Sequence, residues 1–149
     1  METPDAPSTP LITGLAHINL TIPLSTLPHA HSFYGLTLGL TPLKVPVVQT
    51  HELAWFAIGS SGQQVHISTQ KHEGDLISHN SSRHPCFKIG SAEALLELQS
   101  RIYEHFQRGE EGAPVAADRP GESSGEKGKE YPGRFFARDF AGNRLEFSL

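Results

Sequence analysis

Residues Gly14–Pro23 read GLAHINLTIP, and residues Arg83–Ile89 read RHPCFKI. In the first, Ile18, Leu20 and Ile22 alternate with His17, Asn19 and Thr21. That is the two-residue period of a half-buried strand. In the second, Phe87 and Ile89 alternate with His84, Cys86 and Lys88 in the same way. Laid over one another, HINLTI and HPCFKI put His17 on His84. The segments downstream of each strand decide whether this is coincidence or duplication.

After the first strand, Ser25–Gly39 carries helix signals. Ser25 can cap, Pro28 sits in the first turn, and Leu27, Ala30, Tyr34 and Leu38 form an apolar stripe. A short strand near Pro42–Val48, a strand His51–Ile58, a GSSG turn and the strand QQVHIST complete a β-α-β-β-β order. After the second strand, Ser91–Arg108 reads as a helix capped by Ser91, with Leu95, Leu98, Ile102 and Phe106 as its stripe. A weak strand near Ala113–Ala117 and the hairpin RFFARD–FAGN–NRLEFSL repeat the order.

The second overlay, QQVHIST on NRLEFSL, puts His66 on Glu146. Ile58 to His66 and Arg138 to Glu146 are both eight steps, so the two hairpins are expected to match. His17 to His66 spans 49 residues and His84 to Glu146 spans 62. The excess of 13 lies before Arg134, beside the polar Gly/Ser/Lys/Glu loop of residues 119–133. The expected fold class is α+β: two tandem βαβββ modules forming a cupped mixed sheet. Residues 1–12, rich in proline, are expected to be a disordered leader. Residues 13–149 are expected to be one domain, with module one at about 13–70 and module two at about 83–149.

Strand parity sends His17, His66, His84 and Glu146 away from the apolar, helix-covered face. Packed about a pseudo-twofold axis, they would converge. Three imidazoles and a carboxylate are the donors of a divalent cation, and without one the imidazoles would crowd together unsatisfied. Parity also puts Arg134, Phe136 and Arg138 on the site side, and Ala54, Phe56 and Ile58 from the matching strand. Phe56 and Phe136 are expected to wall an apolar or aromatic substrate, with Asn19 beside it. Arg134, Arg144 and Lys88 are expected to receive an anionic group. Trp55 and Phe135 are expected in the core. The other histidines do not fit the repeat, and those in or beside helices, His105 among them, are expected on solvated faces. Cys86 should face the site as a small filler.

The net charge of −4 leaves no footprint for nucleic acid or an anionic membrane. No apolar run approaches a membrane span, and the first residues lack the charged and apolar regions of a secretory signal. The single cysteine allows no internal disulfide, so the cytoplasm is the expected compartment.

The motifs HINLTIP, SFYGLTLGL, QQVHIST, HPCFKI and RDFAGNRLEFSL together resemble the vicinal oxygen chelate superfamily of glyoxalase I, ring-cleaving dioxygenases, and fosfomycin- and bleomycin-resistance proteins. The resemblance runs from about Gly14 to Leu149. It implies metal ligands at His17, His66, His84 and Glu146, with Glu146 or His66 moving a proton. It implies a homodimer and a divalent metal, one of Fe, Ni, Zn, Mn or Co. It implies a small oxygenated substrate and a glyoxalase-like lyase or isomerase. Two features depart from particular branches. Glyoxalases commonly carry glutamate where His66 stands, and dioxygenases commonly carry tyrosine where Phe136 stands. The alternatives are an iron(II) ring-cleaving dioxygenase and a metal-free binding protein.

Overall fold

The structure is a computed structural model that describes residues 4–5, 9–48, 52–125 and 133–149. The remainder includes His51, Tyr131 and residues 126–132 of the polar loop, so expectations resting on them lie outside the described residues. Module one runs β1 (His17–Ile22), α1 (Leu27–Ala30), β2 (Thr41–Leu43), β3 (Leu53–Ala57) and β4 (Gln64–Thr69). Module two runs β5 (Cys86–Lys88), α2 (Ala92–Arg108), β6 (Ala116–Ala117), β7 (Arg134–Arg138) and β8 (Arg144–Ser148). The sheets have the same topology: β1-β4-β3-β2 and β5-β8-β7-β6, with the outer pairs β1–β4 and β5–β8 parallel. The duplicated order is therefore present, with strands shorter at their ends than the sequence suggests.

The first helix differs most from expectation. Its cap is Thr26, with no side-chain bond, and Ser25 sits at φ 63 just before it. From His31 to Thr37 the coil widens to π-helical spacing, ending on a Leu38 N–H to Phe33 carbonyl bond of 2.8 Å. Ala30, Phe33, Tyr34 and Thr37 face inward, at the i, i+3, i+4, i+7 spacing of an ordinary helical stripe. α2 keeps the expected Ser91 cap, whose side chain accepts from the Ala94 N–H at 3.1 Å, and ends on Gly109 at φ 65.

One core joins the modules. Ile22, Phe33, Tyr34, Phe56, Val65 and Ile67 from module one pack with Ile102, Phe135, Leu145 and Phe147 from module two. α2 lies against the π-helical segment, and its inward face is Gln99, Ile102 and His105 rather than Phe106, which is 37% exposed. His105 corrects the solvated-face expectation. It is 2% exposed, its Nδ1 lies 2.7 Å from Thr37 Oγ1, and its Nε2 faces the Glu111 carbonyl. A histidine at that spacing is core when both ring nitrogens find partners.

Other polar ties cross between modules. Tyr34 Oη donates to Asp139 Oδ2 at 2.7 Å, and Asn143 Nδ2 donates to the Thr21 carbonyl at 3.0 Å. Arg101 donates to the Leu36 carbonyl at 2.6 Å. Asp139 is fully buried, and its oxygens also accept from the N–H groups of Ala141 and Asn143 and from the Asn143 amide. Burial raises the Asp139 carboxyl, against the lowering effect of those hydrogen bonds. No helix among the described residues is long and apolar enough to cross a membrane.

Candidate functional site

The four duplicated residues form two pairs, one on each sheet. In module one, β1 and β4 run parallel with Asn19 opposite His66, so His17 lies two residues earlier on the same face. In module two, Cys86 is opposite Glu146, and His84 again lies two residues earlier. The duplication thus keeps its register at these positions. His84, however, precedes its strand rather than sitting within it.

On the first sheet, the His17 and His66 rings stack with centroids 4.0 Å apart and planes 13° apart. Trp55 stacks on His66 at 4.0 Å and 1°. His66 Nε2–H donates to Gln64 Oε1 at 2.7 Å, which leaves Nδ1 as the lone-pair nitrogen. Burial first, and the neighbouring His17 second, hold His66 below the ordinary histidine range. The Asn19 amide donates to Ser68 Oγ at 3.0 Å along the same strand pair.

On the second sheet, His84 Nε2 lies 3.0 Å from Glu146 Oε1. His84 Nδ1 donates to the Ser82 carbonyl at 2.6 Å, a contact that fixes the ring and directs Nε2 at the carboxylate. Arg134 Nη1 lies 3.8 Å from Glu146 Oε2. The Phe136 ring receives the His84 ring edge-on at 5.8 Å, the Arg134 guanidinium at 5.3 Å and the Arg144 guanidinium at 4.3 Å. The Cys86 thiol is hydrogen-bonded to Glu146, and burial followed by that carboxylate push it up to about 11. It is therefore a protonated donor, not a nucleophile. Cys86 also counts as exposed rather than as a buried filler.

Three parity assignments on β3 are corrected. Phe56 is fully buried against Tyr34 and His31, and Ala54 is 2% exposed, so neither lines the site. Trp55, expected in the core, takes the place opposite His66. The hairpins are not of equal length. Ala57 pairs with Gln64 around Ile58–Gln63, whereas Arg138 pairs with Arg144 around Asp139–Asn143, one residue shorter. One extra loop residue flips every side chain on the strand before it. Cross-strand logic alone could have found this: Val65 faces the core, so its partner Phe56 must as well. Arg134, Phe136 and Arg138 do share the Glu146 face, as expected.

The polar loop begins tethered. Gln99, 5% exposed, donates to the Arg119 and Glu122 carbonyls at 2.9 and 2.8 Å and accepts from the Gly121 N–H. Asp118 accepts from the N–H groups of Ser124 and Phe136, both at 2.9 Å. The loop backbone at Gly125 lies close enough to Phe136 and Arg134 that a side chain there would meet both. The loop start therefore covers part of the Phe136 wall.

A cleft of about 980 Å³ separates β1 from β5, with His17, Asn19 and Gln64 on one side and His84, Cys86, Lys88 and Arg144 on the other. Among the described residues, no group of three or more His, Cys, Asp and Glu side chains comes together within one chain to hold a cation. The sequence left open whether the four residues meet within one chain or across two, and within one chain they do not form a single cluster among the described residues. The donor chemistry of the second pair nonetheless fits a cation. His84 presents Nε2 beside a carboxylate that already attracts an imidazole, a guanidinium and a thiol.

No protein-family model matches the chain, and no curated protein matches it. Solved structures do. A protein assigned to the glyoxalase family from Bacillus anthracis is 22% identical, with a TM-score of 0.64 over 93% of this chain and 96% of that one. A glyoxylase/bleomycin resistance protein/dioxygenase domain from Frankia sp. is 19% identical, with a TM-score of 0.67 over 93% and 98%. A variant of the fosfomycin resistance protein FosX from Listeria monocytogenes, complexed with Mn(II) and 1S,2S-dihydroxypropylphosphonic acid, is 18% identical, with a TM-score of 0.67 over 93% and 92%. The chain has the fold these proteins share, two βαβββ modules in the glyoxalase-like arrangement. Structures of this fold thus include enzymes and a protein crystallised with a divalent metal.

Proposed function

We propose that the two pairs are halves of a divalent-cation site, completed when a second copy of the chain supplies the half that each copy lacks. The observation that carries this reading is the His84–Glu146 contact of 3.0 Å, with His84 Nδ1 anchored on Ser82. The inter-module ties hold the two halves apart within one chain. Closing them would break the His105–Thr37, Arg101–Leu36 and Asn143–Thr21 contacts. A second copy removes that conflict.

The ligands would be His84 and Glu146 from one copy and His17 from the other, with His66 available through Nδ1. A cation held there would supply Lewis acidity to two adjacent substrate oxygens. Glu146, with one oxygen near His84 and the other near Arg134, is placed to hold or move a proton. Arg134 and Arg144, set about the Phe136 ring, would receive an anionic group and hold it over an aromatic wall. Trp55 and His17 supply the facing aromatic surface. The reading is a metal-dependent lyase or isomerase acting on a small, anionic, oxygenated molecule in a homodimer. The fold shared with FosX, which was complexed with Mn(II) and a dihydroxyphosphonate, is consistent with such a substrate.

The test is cation uptake by the purified chain, titrated with Mn(II), Co(II), Ni(II), Zn(II) and anaerobic Fe(II), then turnover of a hemithioacetal, a small epoxide and a catechol. We expect one cation per chain. Affinity should fall by at least ~10-fold in both His84→Ala and His17→Ala, and stay unchanged in His72→Ala. No uptake of any of the five cations overturns the reading. Oxygen consumption on the catechol replaces lyase or isomerase with dioxygenase.

A further inference from the structure

His84 is held by a carbonyl that belongs to the inter-module linker, and the linker is held by Arg138. The Arg138 guanidinium donates through Nη2 to the Ser81 carbonyl at 2.8 Å and through Nη1 to the Gly142 carbonyl at 2.9 Å. It therefore clamps the end of the linker onto the β7–β8 turn. The next carbonyl along, Ser82, accepts from His84 Nδ1 at 2.6 Å. The linker is braced locally as well. Ser81 N–H donates to the Ser78 carbonyl, Arg83 N–H donates to Ser81 Oγ, and His79 lies against Gly142. The Glu146 N–H ties the far end of this segment to the sheet through the Pro85 carbonyl at 3.1 Å, and Arg138 ties the Ser81 end by a charged, two-pronged contact.

We propose that Arg138 is a positioning residue for His84. By fixing the Ser81–Ser82 peptides against the β7–β8 turn, it holds the His84 ring with Nδ1 on the Ser82 carbonyl and Nε2 toward Glu146. The proposal rests on the cation-site reading for its function, but its geometry concerns the chain alone. The guanidinium bonds the Ser81 and Gly142 carbonyls rather than His84 or Glu146, so its effect has to travel through the linker backbone. The planar fork explains why arginine rather than lysine stands there. Two carbonyls from two segments need two donors at fixed separation, whereas an ammonium can follow only one of them well.

The test compares wild type, Arg138→Lys and Arg138→Ala, with no cation added, by ¹⁵N–¹H spectra of the histidine rings at near-neutral pH. His84 is assigned by its loss in His84→Ala. We expect a persistent Nδ1–H signal from His84 in wild type, a weakened one in Arg138→Lys and none in Arg138→Ala, where Nδ1–H loses the Ser82 carbonyl and exchanges with water. Mn(II) and Zn(II) affinity should fall roughly 10- to 100-fold in Arg138→Ala and less in Arg138→Lys. A His84 Nδ1–H signal that persists in Arg138→Ala overturns the proposal, as does unchanged cation affinity in a variant that has lost the signal. If Arg138→Ala does not fold, Arg138→Lys decides, and a signal as strong as wild type overturns it. If wild type binds neither cation, the cation-site reading fails while the ring spectra still decide the role of Arg138.

Discussion

At the scale of single residues, His66 shows how neighbours tune a group that the sequence could only place on a face. It lies between Trp55 and His17, and its Nε2–H is committed to Gln64. Burial and the adjacent His17 both disfavour the protonated ring, so its folded pKa is below the unfolded one. The unfolded chain therefore takes up the proton first on acidification. The stability from neutral His66 is fully present above the ordinary histidine value and is lost as pH falls through the lower folded value. Wild type should thus lose stability more steeply than His66→Gln when pH is lowered across the histidine range, as measured by urea midpoints at a series of pH values. Parallel curves for the two proteins would remove His66 from this role. The identity of the pairs was legible in sequence because duplication makes two positions vouch for each other. The partners that tune them were only partly so. Gln64, two residues from His66 on the same strand face, lay within reach of the alternation, whereas the Ser82 and Arg138 contacts are set by loop paths that no periodicity encodes.

At the scale of elements, most of the fold was readable because alternation and helix caps are local. The element order, the Ser91 cap and the site-facing parity of β7 all follow from neighbours within a few residues. The failures come where one residue is added. An extra residue in the first hairpin reverses the faces of β3, exchanging Phe56 and Trp55. The first helix widens to π-helical spacing from His31, which no sequence signal marked, although Phe33 and Tyr34 keep an ordinary helical inward face. The β7–β8 turn shows the opposite case, in which sequence and structure agree closely. Asp139 gathers the N–H groups of Ala141 and Asn143, and Gly142 takes φ 89 with His79 against it. A side chain at Gly142 would suffer the left-handed backbone and meet the His79 ring. Gly142→Ala should therefore lose about 1–2 kcal/mol of unfolding free energy from the backbone conformation alone, measured by urea denaturation. A loss no larger than that of an exposed Gly74→Ala control would show that the turn tolerates a side chain.

At the scale of the whole molecule, one core joins the modules, and the two residue pairs stand on separate sheets, with His17 and His84 on opposite walls of one cleft. The two helices and the Asp139 network pin the modules together within the chain. Symmetry then gives a sharp expectation. In the twofold dimer we propose, each site would take its module-one residues from one copy and its module-two residues from the other. His17→Ala chains alone and His84→Ala chains alone have both sites damaged. In a mixed dimer of the two, one site receives both substitutions and the other receives neither. Co-refolding equal amounts of the two variants should therefore restore about a quarter of wild-type cation capacity, because random pairing makes half of the dimers mixed and each of those has one intact site in two. The restored sites should match wild type in affinity, which separates them from weak residual binding by the parent variants. If each site were instead closed within a single chain, every chain in the mixture would lack a ligand. The refolded mixture would then bind no more than the average of its two parents.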